Sequence, residues 1–273
     1  MKDIHLALSG GGIRAMVFHL GVLRLLAEIR ALESVTRVSS VSGGSLISGL
    51  IVKEAGMIWP GSEKFPEIYA SLRVKLCTRS LIGGMLRQMI KPANWKYILY
   101  RANILARTLE NDWGVTECLN QLPGSPEFSI EGTTAETGKR FRFQRETLGE
   151  YSVGYADSGS FPLAEAMAVS AAFPGGIGPL KLDARAYDWR SHSKAEKAGR
   201  KVCPYDTLHL YDGGIYDNLG LEPLFDAGSA SPKNTDAFLI VSDAGAAFRY
   251  GFSYTTLNPL RLKRVLDVVM EQC

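Results

Sequence analysis

The chain has 273 residues, long enough to bury a sizeable core, and its 46% hydrophobic and 22% charged residues are typical of a globular protein. Its net charge of +3 is too small to indicate a nucleic-acid partner. The four cysteines are widely spaced and form no C-x-x-C pair, which argues against a zinc site or a disulfide framework. With no signal peptide before the first strand and no apolar run of about 18 residues, we expect a cytoplasmic protein.

The first part of the chain alternates strands, glycine turns and helices. Residues 4 to 8 predict a buried strand, the turn SGGGIR follows, and the next helix has apolar residues at helical spacing. The strand RVSSV, the turn SGG and a second helix repeat this order. The pattern predicts an α/β fold with a mainly parallel sheet, and right-handed crossovers should bring both glycine turns to the same sheet edge.

The second turn, within SSVSGGSL, puts Ser42 between a short strand and a glycine-opened helix. Such a turn can expose a serine hydroxyl next to the amides of a helix N-terminus, as a nucleophile requires. The motif is a variant of G-x-S-x-G in which Ser40 takes the first glycine position and Gly44 the last. Alone it is a weak signal, because a serine between glycines is more often a helix cap or a turn.

The first turn carries Gly10, Gly11 and Gly12, whose backbone N–H groups are candidates for an oxyanion hole. The same residues also fit the dinucleotide fingerprint G-x-G-x-x-A. That reading needs an acidic residue at the end of the second strand, where this chain has Val41 and Ser42 instead. The oxyanion interpretation is therefore favoured.

Residues 57–122 read as a helical insertion with an uneven charge. Residues 64–107 hold nine Lys or Arg against one acid, a net charge of +8. In WKYILYRANILARTL one helical face is apolar, and the simplest interpretation is a helix packed on the sheet with a solvated basic face. The alternative is a basic, aromatic-bearing surface that contacts anionic lipid.

The second half of the chain predicts two strands in FSIEGTT and KRFRFQ, a small-residue helix in PLAEAMAVSAAFP, and strands in LHLYDGG and AFLIVSDAG. Residues 184–206 are polar and irregular, typical of a surface loop. NPLRLKRVLDVVMEQC predicts a terminal amphipathic helix with no stop signal, as expected if the native chain continues beyond Cys273.

A serine nucleophile needs a base, and no histidine is predicted near the carboxyl edge of the sheet. The remaining candidates are two strand-end carboxylates, Asp212 and Asp243. From the pattern alone they are nearly equivalent, and for either one a turn cap is the more common role.

Four short motifs, in this order and spacing, resemble the patatin-like phospholipases. They are GGGIR at 10–14, S-V-S-G-G around Ser42, SAAFPG at 170–175 and Asp212-Gly213-Gly214. Two small-for-small departures are Ser40 for the first motif glycine and Ala15 for a glycine that often follows the motif arginine.

The resemblance implies a three-layer α/β/α fold, with residues 1–273 forming one hydrolase domain around the helical insertion. It also implies a lipid acyl hydrolase that uses a Ser42/Asp212 dyad without metal or cofactor. The loop of Gly10, Gly11 and Gly12 would hold the oxyanion, and Arg14 would anchor that loop rather than touch substrate. The expected partners are a phospholipid or other lipid ester and, by peripheral contact, an anionic membrane surface.

Two rival functions remain open. An acyltransferase or thioesterase would use the same acyl-enzyme, and a non-catalytic lipid-binding module would keep only the fold. The presence of all three catalytic motifs argues against the second of these.

Overall fold

The computed structural model describes residues 2–192 and 199–245. Among these residues are six α-helices, a nine-stranded sheet and a two-stranded ribbon. The helices are α1 (Gly12–Glu28), α2 (Gly43–Glu54), α3 (Phe65–Thr78), α4 (Leu81–Ile90), α5 (Arg101–Trp113) and α6 (Leu163–Ser170). The strands are β1 (Ile4–Leu8), β2 (Val35–Val41), β3 (Glu127–Thr134), β4 (Arg140–Phe143), β5 (Thr147–Glu150), β6 (Gly154–Asp157), β7 (Leu180–Asp183), β8 (Thr207–Asp212), β9 (Phe225–Asp226), β10 (Ser231–Pro232) and β11 (Phe238–Ser242).

Four parallel strands form the part of the sheet that carries the two glycine turns, in the order β11-β1-β2-β3. β1 is buried along its whole length, as expected for a parallel strand with both faces covered. Antiparallel strands β4, β5 and β6 extend the sheet beyond β3. Helices flank the sheet, so the predicted three-layer α/β/α fold with a mostly parallel central sheet is confirmed.

Strands β2 and β8 both pair with the same edge of β3, β2 with residues 127–131 and β8 with residues 132–134. The opposite edge of β3 is occupied by β4, which pairs with residues 130–133. β2 runs parallel to β3 and ends with Val41 beside Glu131, whereas β8 runs antiparallel and ends with Asp212 beside Gly132. The carboxyl ends of β2 and β8 therefore meet head to head, which brings the residue after Val41 next to Asp212.

Helices α2 and α6 pack closely against each other in the interior. Every residue of α2 from Gly43 to Val52 is buried, the pattern of a core helix. A methyl group at Gly49 would lie 2.6 Å from the sulfur of Met167 in α6, so a larger residue there would force the Met167 side chain to move.

The segment 57–122 contains α3, α4, α5 and a 3-10 turn, Pro92–Tyr97, and no strand. The single helix predicted for residues 95–109 is wrong, because the chain forms this 3-10 turn and starts a new helix at Arg101. The start of the predicted apolar face, Trp95 and Leu99, is consequently exposed, while Leu105 in α5 is buried as expected.

The described parts of the polar segment 184–206 are residues 184–192 and 199–206, and they pair with each other and with Tyr155. Arg190 forms β-bridges to Tyr155 and to Arg200, and the buried Trp189 indole donates to the Ala184 carbonyl at 2.7 Å. The predicted terminal helix, residues 258–273, lies outside the described residues. Within the described ranges, no helix is long and apolar enough to cross a membrane.

Candidate active site

Ser42 lies at the turn between β2 and α2, with φ 50° and ψ −117°. Positive φ is rare for residues with a side chain and costs on the order of 1–3 kcal/mol unless the surroundings enforce it. The strained strand-to-helix turn is the geometry of a nucleophile elbow, which holds a serine hydroxyl at the edge of a sheet. Ser42 is only 8% exposed, so its hydroxyl faces a largely enclosed space.

Asp212, at the end of β8, is the carboxylate that the structure brings to Ser42. The Ser42 hydroxyl is close enough to the Asp212 carboxyl group to stabilise its charged form, and the Gly214 N–H donates to its Oδ1 at 2.8 Å. The main chain of Asp212 is held as well, because its N–H donates to the Ala172 carbonyl and its own carbonyl accepts from the Thr133 hydroxyl. Asp212 is thus fixed in position before any substrate arrives.

Burial raises the pKa of Asp212 from its ordinary 3.8 to about 7, against the opposing effects of the hydrogen bonds from Gly214 and Ser42. Asp212 is 3% exposed, and no cation is among the groups that stabilise its charged form. A carboxylate with this pKa is a far better proton acceptor near neutral pH than an ordinary aspartate.

Asp243, the rival base, lies elsewhere. It follows β11, and β1 separates β11 from β2 in the sheet. Asp243 is exposed, and its Oδ1 accepts from the Gly245 N–H at 2.7 Å. It therefore caps a turn, the common role of an aspartate at a strand end.

The two glycine turns touch each other, as the sequence predicts for turns at one sheet edge. A methyl group at Gly43 would lie 2.2 Å from the Gly12 carbonyl oxygen, and one at Gly44 would lie 2.4 Å from the Leu8 carbonyl oxygen. Only glycine allows the start of α2 to approach the first turn this closely. The contact brings the loop of Gly10 to Gly12 beside Ser42.

The amides of this loop are not equivalent. The Gly10 N–H donates to the Asn218 carbonyl at 2.9 Å, so it is already engaged. Gly11 and Gly12 have φ of 142° and 62°, and among the described residues their N–H groups have no acceptor. Of the three glycines predicted for an oxyanion hole, these two are the available donors.

Arg14 fastens the glycine loop to the end of the sheet. Its Nε donates to the Ala244 carbonyl at 3.1 Å, just past β11, and the Ala244 N–H donates to the Ser9 hydroxyl at 2.8 Å. An anchoring role for Arg14 stays a prediction, and these two contacts are the observations that support it. The structure shows no group of three or more His, Cys, Asp or Glu in residues 2–192 and 199–245 that could hold a metal ion.

The model of the family described as patatin-like phospholipase matches residues 6–225, which include both glycine turns, Ser42 and Asp212. The chain belongs to this family. No curated protein sequence matches it.

Solved structures with a similar fold include human GIVD cytosolic phospholipase A2, with a TM-score of 0.53 and 15% identity over 83% of this chain and 41% of that chain. VipD from Legionella pneumophila also matches, with a TM-score of 0.36 and 18% identity over 80% of this chain and 46% of that one, a score too low to support a common fold. The chain spans less than half the length of either protein. At 15% identity, the first of these similarities supports the fold and nothing finer.

The departure from the patatin-like motif at Ser40 is part of a buried hydroxyl network. The Ser45 hydroxyl donates to Ser40 at 3.0 Å and lies 2.8 Å from the Ser170 hydroxyl, which accepts the Ser42 backbone N–H at 2.9 Å. All three supporting serines are fully buried. This network satisfies the Ser42 amide and holds the strained turn in place, which a glycine at position 40 would do less completely.

Sequence reasoning did not identify the supporting roles of Ser170, Asn218 and Thr133. Ser170 opens the SAAFPG block, so the motif could have marked it, but its partner Ser42 is 128 residues away in sequence. No sequence signal marks Asn218 or Thr133, because both act through pairings that only the folded chain creates.

The strain at Ser42 leads to a prediction about stability. Because glycine adopts positive φ freely, Ser42→Gly should be more stable than Ser42→Ala by about 1 kcal/mol, the reverse of the usual order of these residues. Both variants lack the hydroxyl, so the comparison isolates the backbone effect. Urea unfolding of the two proteins measures it, and a Gly variant less stable than the Ala variant would show that the turn is unstrained.

Proposed function

We propose that this protein is a serine lipid acyl hydrolase of the phospholipase A or lysophospholipase type, with Ser42 as nucleophile and Asp212 as base. The observation that carries the proposal is the head-to-head junction of β2 and β8, which places the Ser42 hydroxyl where it stabilises the charged Asp212 carboxylate. Membership of the patatin-like phospholipase family supports a lipid ester as the substrate.

In the proposed reaction, Asp212 accepts the Ser42 proton while the serine oxygen attacks the ester carbonyl carbon. The tetrahedral intermediate collapses, the ester C–O bond breaks, and the alcohol leaves with the proton from Asp212. Water then gives a proton to Asp212 and attacks the acyl-enzyme; the acyl C–O bond to Ser42 breaks, Asp212 returns the proton to the Ser42 oxygen, and the fatty acid is released. The raised pKa of Asp212 supports both directions of proton transfer near neutral pH.

The N–H groups of Gly11 and Gly12 are the proposed donors to the negatively charged oxygen of the intermediate. Their positive φ values turn the peptide units in a way that a residue with a side chain would resist. A donor of this kind is typically worth about 3 kcal/mol in the transition state. Gly10 has a different proposed role, which is to let the loop pack against Asn218. A methyl group at Gly10 would lie 2.3 Å from the Asn218 side-chain oxygen.

A lipid ester reaches this site from a membrane, so peripheral contact with an anionic surface belongs to the proposal. The cations of residues 64–107 are its sequence basis, although several are neutralised by ion pairs. Lys75 pairs with Glu54, Arg87 with Asp112, and Arg107 with Glu110. Such pairs lower the charge that remains for lipid headgroups.

Acyl transfer to an acceptor other than water is the second candidate function, since it uses the same acyl-enzyme. The direct experiment incubates wild type and Ser42→Ala with mixed phospholipid vesicles, with and without added glycerol or lysolipid. We expect the wild type to release free fatty acid and the variant to release none. Product found only as a new acyl ester would make the protein a transferase, and no product with any lipid or thioester would favour a lipid-binding module.

A further inference from the structure

We propose that helix α4 and the 3-10 turn after it form an insertion face that enters the surface of an anionic membrane. The face consists of Ile82, Leu86, Ile90, Trp95 and Leu99. This face would attach the proposed lipid hydrolase to its membrane. The inference depends on the proposed function for its biological purpose, whereas its physical evidence is independent. Its physical basis is the structure of residues 78–100.

Helix α4 is amphipathic in an unusual sense, because its outward side is apolar. Ile82, Leu86 and Ile90 recur every four residues and are 65%, 57% and 76% exposed. The inward side is held by Gly84, where a methyl group would lie 2.3 Å from the Thr108 methyl carbon. The helix is therefore locked against α5 with its apolar stripe facing outward, and rotation cannot bury that stripe.

The turn after α4 continues the face. Trp95 is 59% exposed and Leu99 is 80% exposed, and both flank the half-buried Tyr97. Several large, exposed apolar side chains on one short segment are uncommon on a solvated surface and mark a contact site. Trp95 has the amphipathic ring that favours the boundary between headgroups and acyl chains.

The charges around the face select an anionic lipid surface rather than a protein partner of mixed charge. Lys91 ends the apolar stripe of α4 and Lys96 follows Trp95, and both are exposed. Neither has a carboxylate partner among the described residues. Arg79 precedes α4 and Arg87 lies in its last turn, and both donate hydrogen bonds to Asp112. Free cations around an apolar stripe match a layer of phosphate headgroups over acyl chains.

The insertion face adjoins the segment that leads to the active site. A methyl group at Gly178 would lie 3.8 Å from the Leu99 carbonyl oxygen. The chain between Ala172 and Gly178 connects this contact to the dyad, because the Ala172 carbonyl accepts the Asp212 N–H. Trp189, by contrast, is 4% exposed and donates its indole N–H internally, which leaves it unsuited to insertion.

The test measures binding without catalysis, in Ser42→Ala protein mixed with phosphatidylcholine vesicles that contain phosphatidylglycerol. The triple change Ile82→Asp/Leu86→Asp/Ile90→Asp should weaken co-sedimentation by at least ~100-fold, since burying even one such side chain contributes roughly tenfold or more. Lys91→Glu/Lys96→Glu should weaken binding by about tenfold or more to anionic vesicles, with a smaller loss at high salt.

The control is Leu25→Asp/Ile29→Asp, in the last turn of α1 and at the residue that follows it, where the two side chains are 57% and 59% exposed. This variant should bind like the parent. Undiminished binding by the triple variant overturns the proposal. The proposal is also overturned if the parent protein is a dimer and the triple change makes it a monomer without loss of vesicle binding. This face would then be a contact between two copies of the chain.

Each variant is also made with Ser42 intact, and hydrolysis of a monomeric short-chain ester at the wild-type rate shows that the fold is preserved. Circular dichroism melting gives the same check without catalysis. If the proposed function is wrong, the wild type fails to hydrolyse any ester while the vesicle-binding results remain interpretable. The two proposals can therefore fail separately.

Discussion

Ser42→Ala, Asp212→Asn and the double variant should all lose ester hydrolysis by the same large factor, about 10⁴ or more. The nucleophile and the base act on one proton, so the second change removes nothing that the first has left. The structural reason to expect this is that the ends of β2 and β8 meet and bring the Ser42 hydroxyl next to the Asp212 carboxyl group. Initial rates on a monomeric ester, with the three proteins at matched concentration, measure the three losses.

Asp243→Asn is the matched control, because it changes the other strand-end carboxylate in the same way. Asp243 is exposed and caps its own turn, so this variant should keep nearly full activity. Losses that multiply in the double variant would show that Ser42 and Asp212 act independently. An inactive, folded Asp243→Asn beside an active Asp212→Asn would transfer the base to Asp243.

Replacing Asp212 by Asn should also make the protein more stable than the wild type in alkaline solution. The folded pKa of Asp212, about 7, is above its ordinary value of 3.8 because burial penalises the charge. The folded state therefore keeps a proton that the unfolded state loses between about pH 4 and pH 7. The Asp212 contribution to stability is fully present below pH 4, and it declines as pH rises to about 7.

The difference of about three pKa units corresponds to roughly 4 kcal/mol for this buried group. Asparagine cannot ionise and can still accept the Gly214 N–H, so the gain of the variant over wild type should grow with pH and level off above about 8. Urea unfolding at pH 4, 6 and 8 measures it. A stability difference that is constant with pH would mean that Asp212 titrates at its ordinary pKa when folded.

The same titration should govern catalysis. Because Asp212 must be ionised to accept the serine proton, kcat/KM should rise as pH passes through about 7 and reach a plateau above it. Activity and stability then change in opposite directions over the same pH range. The charged carboxylate that makes Ser42 reactive is also the form that the buried site tolerates least.

The sequence alone determined the elements whose cause is local. Alternation of apolar runs and glycine turns predicted β1, α1, β2 and α2, because hydrophobic period and glycine conformation act within a few residues. Ser42 and the glycine loop could be named for the same reason. The sequence also predicted that the two turns would meet, since the handedness of crossovers is a general rule.

Only the tertiary structure distinguishes Asp212 from Asp243 as the proposed base. Both residues lie at the end of a strand pattern, Asp212 directly before Gly213 and Asp243 two residues before Gly245, so their local signals are similar. They differ in strand order, since β8 shares an edge of β3 with β2 while β11 lies beyond β1. That order depends on pairings between residues about 80 positions apart, which no local pattern encodes.

The energetics of the site were likewise decided by the assembled fold. The raised pKa of Asp212 comes from burial by several elements, and the Ser42 amide is held by Ser170, on a helix far away in sequence. The insertion face is a second case in which the local pattern did not predict burial. Trp95 and Leu99 fit the apolar face of a helix in the sequence, yet both side chains are exposed in the structure. Side-chain chemistry and local periodicity can be read from the sequence. Burial and hydrogen-bond partners are determined only when distant segments of the chain pack together.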